Sequence, residues 1–297
     1  MLNRRRFLTI AVVASLPPAI AHAETHVETG IALGARVSLR LSHPEAPALA
    51  AAAMGEIRRL EAIFSLYQTD SALACLNRDG SLQNPPFELL DCLTLAGAVH
   101  RASGGRFDPT VQPLWLAEAR ATSRRRSLSP AERADAVALT GWRDVRLKST
   151  GITLRKGQAL TLNGIAQGYI ADRVAGFLAA RGLTRALIDT GEMVALPEGD
   201  WPVQLPSRER LALSGRALAT SAPQGMTFGD DGRRSHILDP VSGHPVDSRW
   251  RAVSISAPSA ALADALSTAA CLTDGPEELK TLCASFPAAN LVTAIPT

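Results

Sequence analysis

The chain has 297 residues, of which 46% are hydrophobic and 20% charged, and its formal net charge is +3 at pH 7. This composition is that of an ordinary globular protein, with enough apolar side chains for one large core or two smaller ones. Arg4, Arg5 and Arg6 supply part of the small positive charge, and no basic stripe interleaved with aromatic residues follows them. Composition and charge therefore argue against a nucleic-acid-binding protein.

The N-terminal segment is typical of an export signal. Paired arginines in NRRRFLT are followed by a short apolar stretch, residues 10–20, and by the small residues of AHA. This pattern predicts a twin-arginine signal peptide over residues 1–23, cleaved after Ala23. A membrane anchor is the weaker alternative, because a span needs about 18 or more apolar residues. We therefore expect a periplasmic protein whose mature domain covers residues 24–297.

Neither the cysteines nor the commonest motifs identify an active site. The four cysteines, Cys75, Cys92, Cys271 and Cys283, form no C-x-x-C pair and have no metal-ligand spacing. Disulfides are possible in an oxidising compartment, but the spacing selects no pairing, and buried free thiols are an equal alternative. P-loop, G-x-G-x-x-G, H-E-x-x-H and G-x-S-x-G motifs are absent from the sequence. Their absence disfavours the commonest nucleotide, zinc-protease and serine-hydrolase sites without excluding an enzyme.

In chain order, the first half of the mature sequence predicts one strand, three helices and a hairpin. ALGARVSLRLS alternates as a strand does, and residues 47–66 have helical periodicity. NPPFELLDCLTLAGAVHRASGG predicts a second helix, capped by Asn84 and ended by Gly104. Ser129 with Glu132 forms a capping box for a third helix. ITLRKGQALTL predicts a hairpin that turns at Lys156-Gly157.

The middle of the chain, LTLNGIAQGYIADRV, predicts a strand that leads directly into a helix ending at Gly182. A helix that opens after glycines presents unpaired backbone N–H groups and a positive dipole end, which suits an anion such as a phosphate. Glycine also lets the backbone approach that anion closely. The alternative is a tight strand-to-helix turn that binds nothing.

The second half of the chain continues to mix strands with helices. RALIDTG, WPVQL, LALSGRALATS and AVSISAPSA predict strands, residues 260–272 predict a helix, and a closing helix and strand follow Leu272. Because strands and helices do not alternate strictly, we expect an α+β fold and not a doubly wound sheet.

The late helix carries a candidate metal site. Asp264 and Thr268 are four residues apart, so their side chains share one face of the helix. A carboxylate and a hydroxyl at that spacing can bind Mg²⁺, which prefers hard oxygen ligands, and Ser267 is near enough to assist. An ordinary helix with a few polar positions among alanines is the alternative.

Three other segments carry candidate side chains. Asp108 in GGRFDPTVQPL can accept a hydrogen bond from a ligand or cap its own turn. Tyr67 in FSLYQTDSALACLN can stack on a flat ring or fill the core. SHILDPVSGHP contains His236, Asp239 and His244, and a histidine can move protons near neutral pH. For His244 we expect a packed polar role.

In combination and in order, five blocks of this sequence resemble the ApbE family of FAD:protein FMN transferases. The blocks are FSLYQTDSALACLN, GGRFDPTVQPL, LTLNGIAQGYIADRV, ATSAPQGMTFGDDGRRSHILDPVSGHPV and SISAPSAALADALSTAACL. The resemblance extends from about Ala32 to Leu272, nearly all of the mature chain. It implies a single α+β domain of the ApbE type (T-fold-like), with mixed and antiparallel sheets and flanking helices.

The resemblance implies an enzyme that splits FAD at its pyrophosphate, transfers FMN to a threonine or serine hydroxyl of a target protein and releases AMP. It also implies a requirement for Mg²⁺ and, as target, a membrane or exported redox subunit. The glycine block is similar to that of NosX-like members associated with nitrous oxide respiration. Two other functions stay open: a periplasmic FAD-binding or delivery protein without chemistry, and an Mg²⁺-dependent FAD pyrophosphatase.

The resemblance also implies roles for individual residues. Contacts to FAD are implied at Leu33, Tyr67, Arg106, Phe107, Asp108, Thr161, Gln167 and Leu238. Magnesium ligands are implied at Gly164, through its carbonyl oxygen, and at Asp264, Ser267 and Thr268. His236 is the candidate for activating the acceptor hydroxyl, and Asp264 is the second catalytic candidate.

Four positions depart from the family pattern. Thr161 occupies a position that is usually Asp, and Gln167 one that is usually Lys or Glu. Leu33 replaces a frequent Met, and Ser267 replaces a carboxylate of some members. The site therefore carries less formal charge than usual. We expect the metal to bind more weakly until FAD supplies its phosphate oxygens, and the uncharged residues lend some support to the binding-protein alternative.

Overall fold

A computed structural model describes residues 25–32, 34–229 and 232–297. The expected signal peptide, residues 1–23, and the expected FAD contact Leu33 lie outside the described residues. Within the described ranges, no helix combines the length and the apolar character needed to cross a bilayer.

The helices of the described chain vary from one to five turns in length. They are α1 (Ala46–Phe64), α2 (Ala72–Asp79), α3 (Phe87–Ala102), α4 (Gln112–Ser123), α5 (Pro130–Val137), α6 (Ala166–Ala179), α7 (Ala260–Ala270) and α8 (Pro276–Ala284), with 3₁₀ turns at Pro109–Val111 and Trp142–Asp144. The predicted capping box begins α5, since Ser129 and Glu132 each accept the other's backbone N–H. The predicted cap of α3 is wrong: Pro86 precedes that helix, and Asn84 lies two residues earlier with φ of 46°.

The strands form one large sheet and three small ones. They are β1 (His26–Ala32), β2 (Ala35–Leu41), β3 (Ser81–Gln83), β4 (Arg146–Lys148), β5 (Gly151–Thr153), β6 (Ala186–Asp189), β7 (Met193–Ala195), β8 (Trp201–Gln204), β9 (Arg210–Leu213), β10 (Ala217–Ser221), β11 (Thr227–Phe228), β12 (Arg234–Ser235), β13 (Trp250–Ala257) and β14 (Asn290–Pro296). The large sheet has the order β1-β2-β6-β7-β10-β13-β14, and every neighbouring pair is antiparallel. The α+β expectation is confirmed.

The large sheet is covered on both faces, so its central strands β6, β7, β10 and β13 are buried or half-buried at nearly every position. Ile188 and Ile255 belong to the main core, which they share with side chains of α1, α6 and α7 such as Leu60. On the other face, Leu187 and Leu218 pack with the β8–β9 hairpin in a second cluster. Because successive strand residues point to opposite faces, one strand can serve both cores.

Helices α6 and α7 are in close contact, and this contact sets the position of the site. A Cβ atom at Gly168 would lie 2.3 Å from the carbonyl oxygen of Ala260, so only glycine allows this approach. Asp172 of α6 then caps α7, accepting hydrogen bonds from the Ser259 hydroxyl at 2.7 Å and from the backbone N–H of Ala260 at 2.7 Å and of Ala261 at 2.9 Å. The two helix N-termini are therefore fixed relative to each other.

The predicted hairpin at Lys156-Gly157 and the predicted strand before Gly164 are both wrong. Strand β5 pairs with β3 and β4 instead, and residues 154–165 form no strand. The side chain of Asn77 satisfies both backbone groups of Leu160, donating to its carbonyl at 2.8 Å and accepting from its N–H at 2.7 Å. Apolar alternation in this segment therefore reflects burial without a β-ladder.

Candidate functional site

A cavity of about 410 Å³ lies where the turn before α6, the helix α7 and the end of β10 meet. Ten of the residues expected at the site line its wall: Arg106, Phe107, Asp108, Thr161, Gly164, Gln167, His236, Leu238, Asp264 and Thr268. They come from four separate segments of the chain, which the fold brings together around one space.

Gly164 and Thr268 contact each other across the base of this cavity. A Cβ atom at Gly164 would lie 2.8 Å from Thr268 Oγ1, 3.2 Å from Thr268 Cγ2 and 3.3 Å from Phe107 Cε2. A side chain at position 164 would therefore displace Thr268 or Phe107. The pairing of the mid-chain glycine with the late helix, which the sequence suggested, is present in the structure.

Asp264 is a buried carboxylate with one free oxygen. The residue is 3% exposed, and the backbone N–H of Gly168 donates to Oδ2 at the long distance of 3.5 Å. Its other oxygen, Oδ1, has no hydrogen bond within the described part of the chain. Burial is the largest cause that raises the pKa of Asp264 to about 8; the Gly168 N–H opposes this rise, and the negative charge of Asp172 adds to it.

The expected anion cradle at the start of α6 is only partly available to a ligand. The N–H of Gly168 is directed at Asp264, a carboxylate of the protein itself, and the N–H of Ala166 donates to the carbonyl of Leu162 at 2.8 Å. The Gly168 N–H therefore already has a partner within the protein, and the prediction that N–H groups near Gly168 bind the phosphates stays a prediction for the remaining groups. The side-chain carboxyl of Asp264 is the acceptor at this helix terminus.

Ser267 does not line the cavity. Its side chain is fully buried, 2.7 Å from Ser221 Oγ, and its hydroxyl donates to the carbonyl of Asp264 at 3.0 Å. Ser221, at the end of β10, occupies the wall instead and lies 3.2 Å from Thr268 Oγ1. This placement does not support the implied role of Ser267 as a metal ligand, and Ser221 is a wall residue that sequence reasoning missed.

Tyr67 is also away from the wall. It lies in the loop between α1 and α2 with its side chain 76% exposed, and it is not among the residues around the cavity. Neither burial in the core nor contact with the cavity is observed, so its role in flavin contact stays a prediction.

Arg106 and Asp108 have structural partners as well as positions on the wall. Arg106 donates to the carbonyl of Leu272 at 2.9 Å and pairs with Glu278 at 2.6 Å, which anchors it to α8. Asp108 Oδ1 accepts from the backbone N–H of Thr110 at 2.8 Å and from its hydroxyl at 2.6 Å. Asp108 therefore caps its own turn, as one interpretation of the sequence predicted, and it also lines the cavity, so its contact with a ligand stays a prediction.

His236 has a defined orientation. Its Nδ1 lies 2.8 Å from the carbonyl oxygen of Met226, which can only accept a hydrogen bond. This contact places the proton on Nδ1 and leaves Nε2 as a base. The residue is half-buried on the cavity wall. His244, which we expected to be packed, is exposed, and Asp239 accepts from the backbone N–H of Val241 at 2.9 Å.

Glu192 is the acidic residue that sequence reasoning missed. It lines the cavity, is 8% exposed, and accepts a hydrogen bond from the backbone N–H of Thr220 at 3.2 Å on Oε2. Burial first, and then the negative charge of Asp264, raise the pKa of Glu192 well above its usual range. One feature of the sequence could have identified Glu192. It follows Gly191 in a turn between two apolar strands, where a charged residue is unusual.

The donors on the wall fit a hard cation. Among the described residues, no group of three or more His, Cys, Asp or Glu side chains forms a metal cluster. All four cysteines are free thiols, three of them buried, as one of the two alternatives predicted. The free oxygen of Asp264, the Thr268 hydroxyl and the backbone at Gly164 are oxygen donors, which suit Mg²⁺ and leave places for water or substrate phosphates. They do not form the nitrogen and sulfur set that Zn²⁺ prefers.

Comparison with known proteins gives a consistent result. The family model described as the ApbE family matches residues 33–292. An FAD:protein FMN transferase of Klebsiella pneumoniae is 30% identical over 246 residues, which cover 76% of this chain and 76% of the relative. A second one, from Treponema pallidum, is 29% identical and covers 81% of this chain and 75% of the relative.

Solved structures agree with these sequences. The apo form of the flavinyl transferase ApbE of Pseudomonas stutzeri superimposes with a TM-score of 0.78 at 25% identity, covering 89% of this chain and 91% of the other. The ApbE protein of Thermotoga maritima gives a TM-score of 0.79 at 25% identity, covering 90% and 93%. Sequence and fold lead to the same conclusion: the chain belongs to the ApbE family.

Proposed function

We propose that this protein is an FAD:protein FMN transferase, which cleaves FAD at its pyrophosphate, transfers FMN to a threonine or serine hydroxyl of a target protein and releases AMP. The observation that carries the proposal is the cavity in which Asp264, Thr268 and Gly164 meet opposite His236. The name that its curated relatives bear, FAD:protein FMN transferase, supports the same reaction.

The chemistry of the site is suited to phosphoryl transfer. Such transfer needs positioning and charge neutralisation more than covalent participation by the protein. Asp264, Thr268 and the Gly164 carbonyl would hold Mg²⁺, which neutralises charge on a bound pyrophosphate. Phe107 and Leu238 form part of the apolar wall, on which a flat ring system can lie.

His236 is placed to handle the proton of the acceptor. With Nδ1–H donating to the Met226 carbonyl, Nε2 can take the proton from an incoming hydroxyl as that oxygen attacks phosphorus. The AMP side then leaves. His236 is partly exposed to solvent, so an acceptor loop can approach it from outside the cavity.

We further propose that the protein works in the periplasm after export by the twin-arginine route, on a membrane or exported redox subunit. The sequence NRRRFLT at residues 3–9 and the AHA site at residues 21–23 support this location. The acceptor class follows from the family resemblance alone.

Co-expression tests the proposed function in cells. The full chain is expressed with an exported protein that carries a candidate threonine acceptor, and flavin fluorescence is scored on a denaturing gel. We expect a fluorescent acceptor band with the parent chain and none with Asp264→Ala. A non-fluorescent acceptor with the parent chain, together with free FMN, would indicate a pyrophosphatase, and intact FAD would indicate a binding protein.

A further inference from the structure

We propose that Glu192 is a second carboxylate ligand, acting with Asp264, for the divalent cation that this cavity binds. The inference rests on the proposed function only in assuming that the cavity holds such a cation. The family resemblance implied four ligand positions, and Glu192 is none of them; its place follows from the structure alone.

The geometry of Glu192 leaves one oxygen available. Oε2 accepts the backbone N–H of Thr220 at 3.2 Å, just beyond Met193–Leu218, the last pair between β7 and β10. Oε1 has no hydrogen-bond partner in residues 25–32, 34–229 and 232–297, although Glu192 lines the cavity. The carboxylate is thus held by one oxygen while the other is free to bind a ligand.

The carboxylate of Asp264 is held in the same way, by one of its two oxygens. One of its oxygens meets the Gly168 N–H and the other is unpaired among the described residues. Both carboxylates line the same cavity, and the negative charge of Asp264 disfavours a second charge on Glu192. The wall includes one arginine, Arg106, but its guanidinium is already bound to Glu278 and the Leu272 carbonyl. Two buried negative charges without a basic partner have a high electrostatic free energy. A divalent cation bound between them lowers that free energy.

The expected ligand set contains a single carboxylate. Of Gly164, Asp264, Ser267 and Thr268, only Asp264 carries a charge, and Ser267 is turned away from the cavity toward Ser221. Glu192 adds a second carboxylate, and affinity for hard cations rises with the number of charged ligands.

A metal titration tests this without turnover. Free Mn²⁺ is followed by its electron paramagnetic resonance signal, with Mn²⁺ alone and with FAD added in the absence of any acceptor. Three variants are compared with the parent chain. Glu192→Gln keeps an oxygen for the Thr220 N–H, Glu192→Asp keeps the charge but shortens its reach, and Asp189→Asn is the control. Asp189 carries a negative charge that acts on Glu192 but lies outside this cavity, and an asparagine oxygen can still accept the backbone N–H of Gly191. Thermal unfolding without metal verifies that each variant is folded.

We expect Glu192→Gln to raise the Kd for Mn²⁺ by about tenfold or more, Glu192→Asp to do so by a smaller factor, and Asp189→Asn by less than about threefold. The inference is overturned if Glu192→Gln binds Mn²⁺ as the parent does, or if Asp189→Asn weakens binding equally. It is also overturned if the parent binds no Mn²⁺ up to about 1 mM under either condition. Because no acceptor is present, loss of FMN transfer alone would not produce any of these results.

Discussion

Gly164 and Thr268 are packed so closely that a Cβ atom on the glycine would lie 2.8 Å from the threonine hydroxyl oxygen. This contact joins the mid-chain turn to helix α7 and keeps the Gly164 backbone beside the hydroxyl that is proposed to bind metal. Gly164→Ala should move Thr268 or Phe107 and reduce the rate of FMN transfer by about 10²-fold, since small misplacements at a reacting centre have effects of that size.

Single-turnover transfer and thermal unfolding, measured on the same Gly164→Ala preparation, separate the site from the fold. We expect a large loss of rate with a small change in melting temperature. A variant with the parent's rate would show that Thr268 need not stay where the structure has it.

Gly168 has a different role, which a pair of variants on one helix can isolate. A Cβ at Gly168 would lie 2.3 Å from the Ala260 carbonyl oxygen and 2.5 Å from its carbon, whereas nothing lies within 4 Å of one at Gly176. Gly168→Ala should therefore force α6 from α7 and destabilise the protein by about 1–3 kcal/mol. Gly176→Ala should stabilise it by about 0.5–1 kcal/mol. Chemical denaturation measures both, and equal effects would contradict the packing described for Gly168.

The stability of the metal-free protein should depend on pH through Asp264. Burial raises the pKa of this group from 3.8 to about 8, so between these values the folded state retains a proton that the unfolded chain has lost. Stability then falls as pH rises, by at most about 1.4 kcal/mol per pH unit for one group. Buried Glu192, whose pKa is also raised, adds a slope of the same sign.

Denaturant unfolding in the presence of a chelator, at pH values from about 5 to about 8, measures this slope. We expect Asp264→Asn to reduce it, and added Mg²⁺ to restore stability at the high end. An identical slope in the parent chain and in Asp264→Asn would assign the pH dependence to other groups.

His236→Gln should lower the rate of transfer without weakening FAD binding. The side chain that replaces the imidazole cannot take a proton at Nε2, and general-base catalysis contributes about 10²–10⁴-fold. FAD affinity, followed by flavin fluorescence quenching, should stay within about threefold of the parent, because the proposed role is in proton transfer and not in ground-state binding. A parallel loss of affinity and rate would instead make His236 a binding residue.

The sequence was sufficient for the fold class and for most of the wall. Ordered motifs placed Asp264, Thr268 and Gly164 at one site, and local chemistry identified the capping box of α5. These features depend on residue types at short spacing or on a family pattern. Both can be recognised in the sequence alone.

Features that depend on long-range partners were not predictable. Apolar alternation predicts a strand at Leu160, but the side chain of Asn77, 83 residues earlier, supplies both of its backbone hydrogen bonds instead. The N–H of Gly168 was expected to face a phosphate, but the fold brings Asp264, 96 residues later, to the same helix terminus. In the sequence, Glu192 is simply one acidic residue in a turn. The pairing of β7 with β10 brings it to the cavity that Asp264 also lines.

Mass spectrometry of the acceptor tests the central claim most directly. The purified protein is incubated with FAD, Mg²⁺ and a threonine-bearing target, and the intact mass of the target is recorded alongside the released nucleotides. The account predicts covalent addition of one FMN with release of AMP by the parent chain, and an unmodified target with Asp264→Ala. An Asp264→Ala variant that modifies the target at the parent's rate would contradict it.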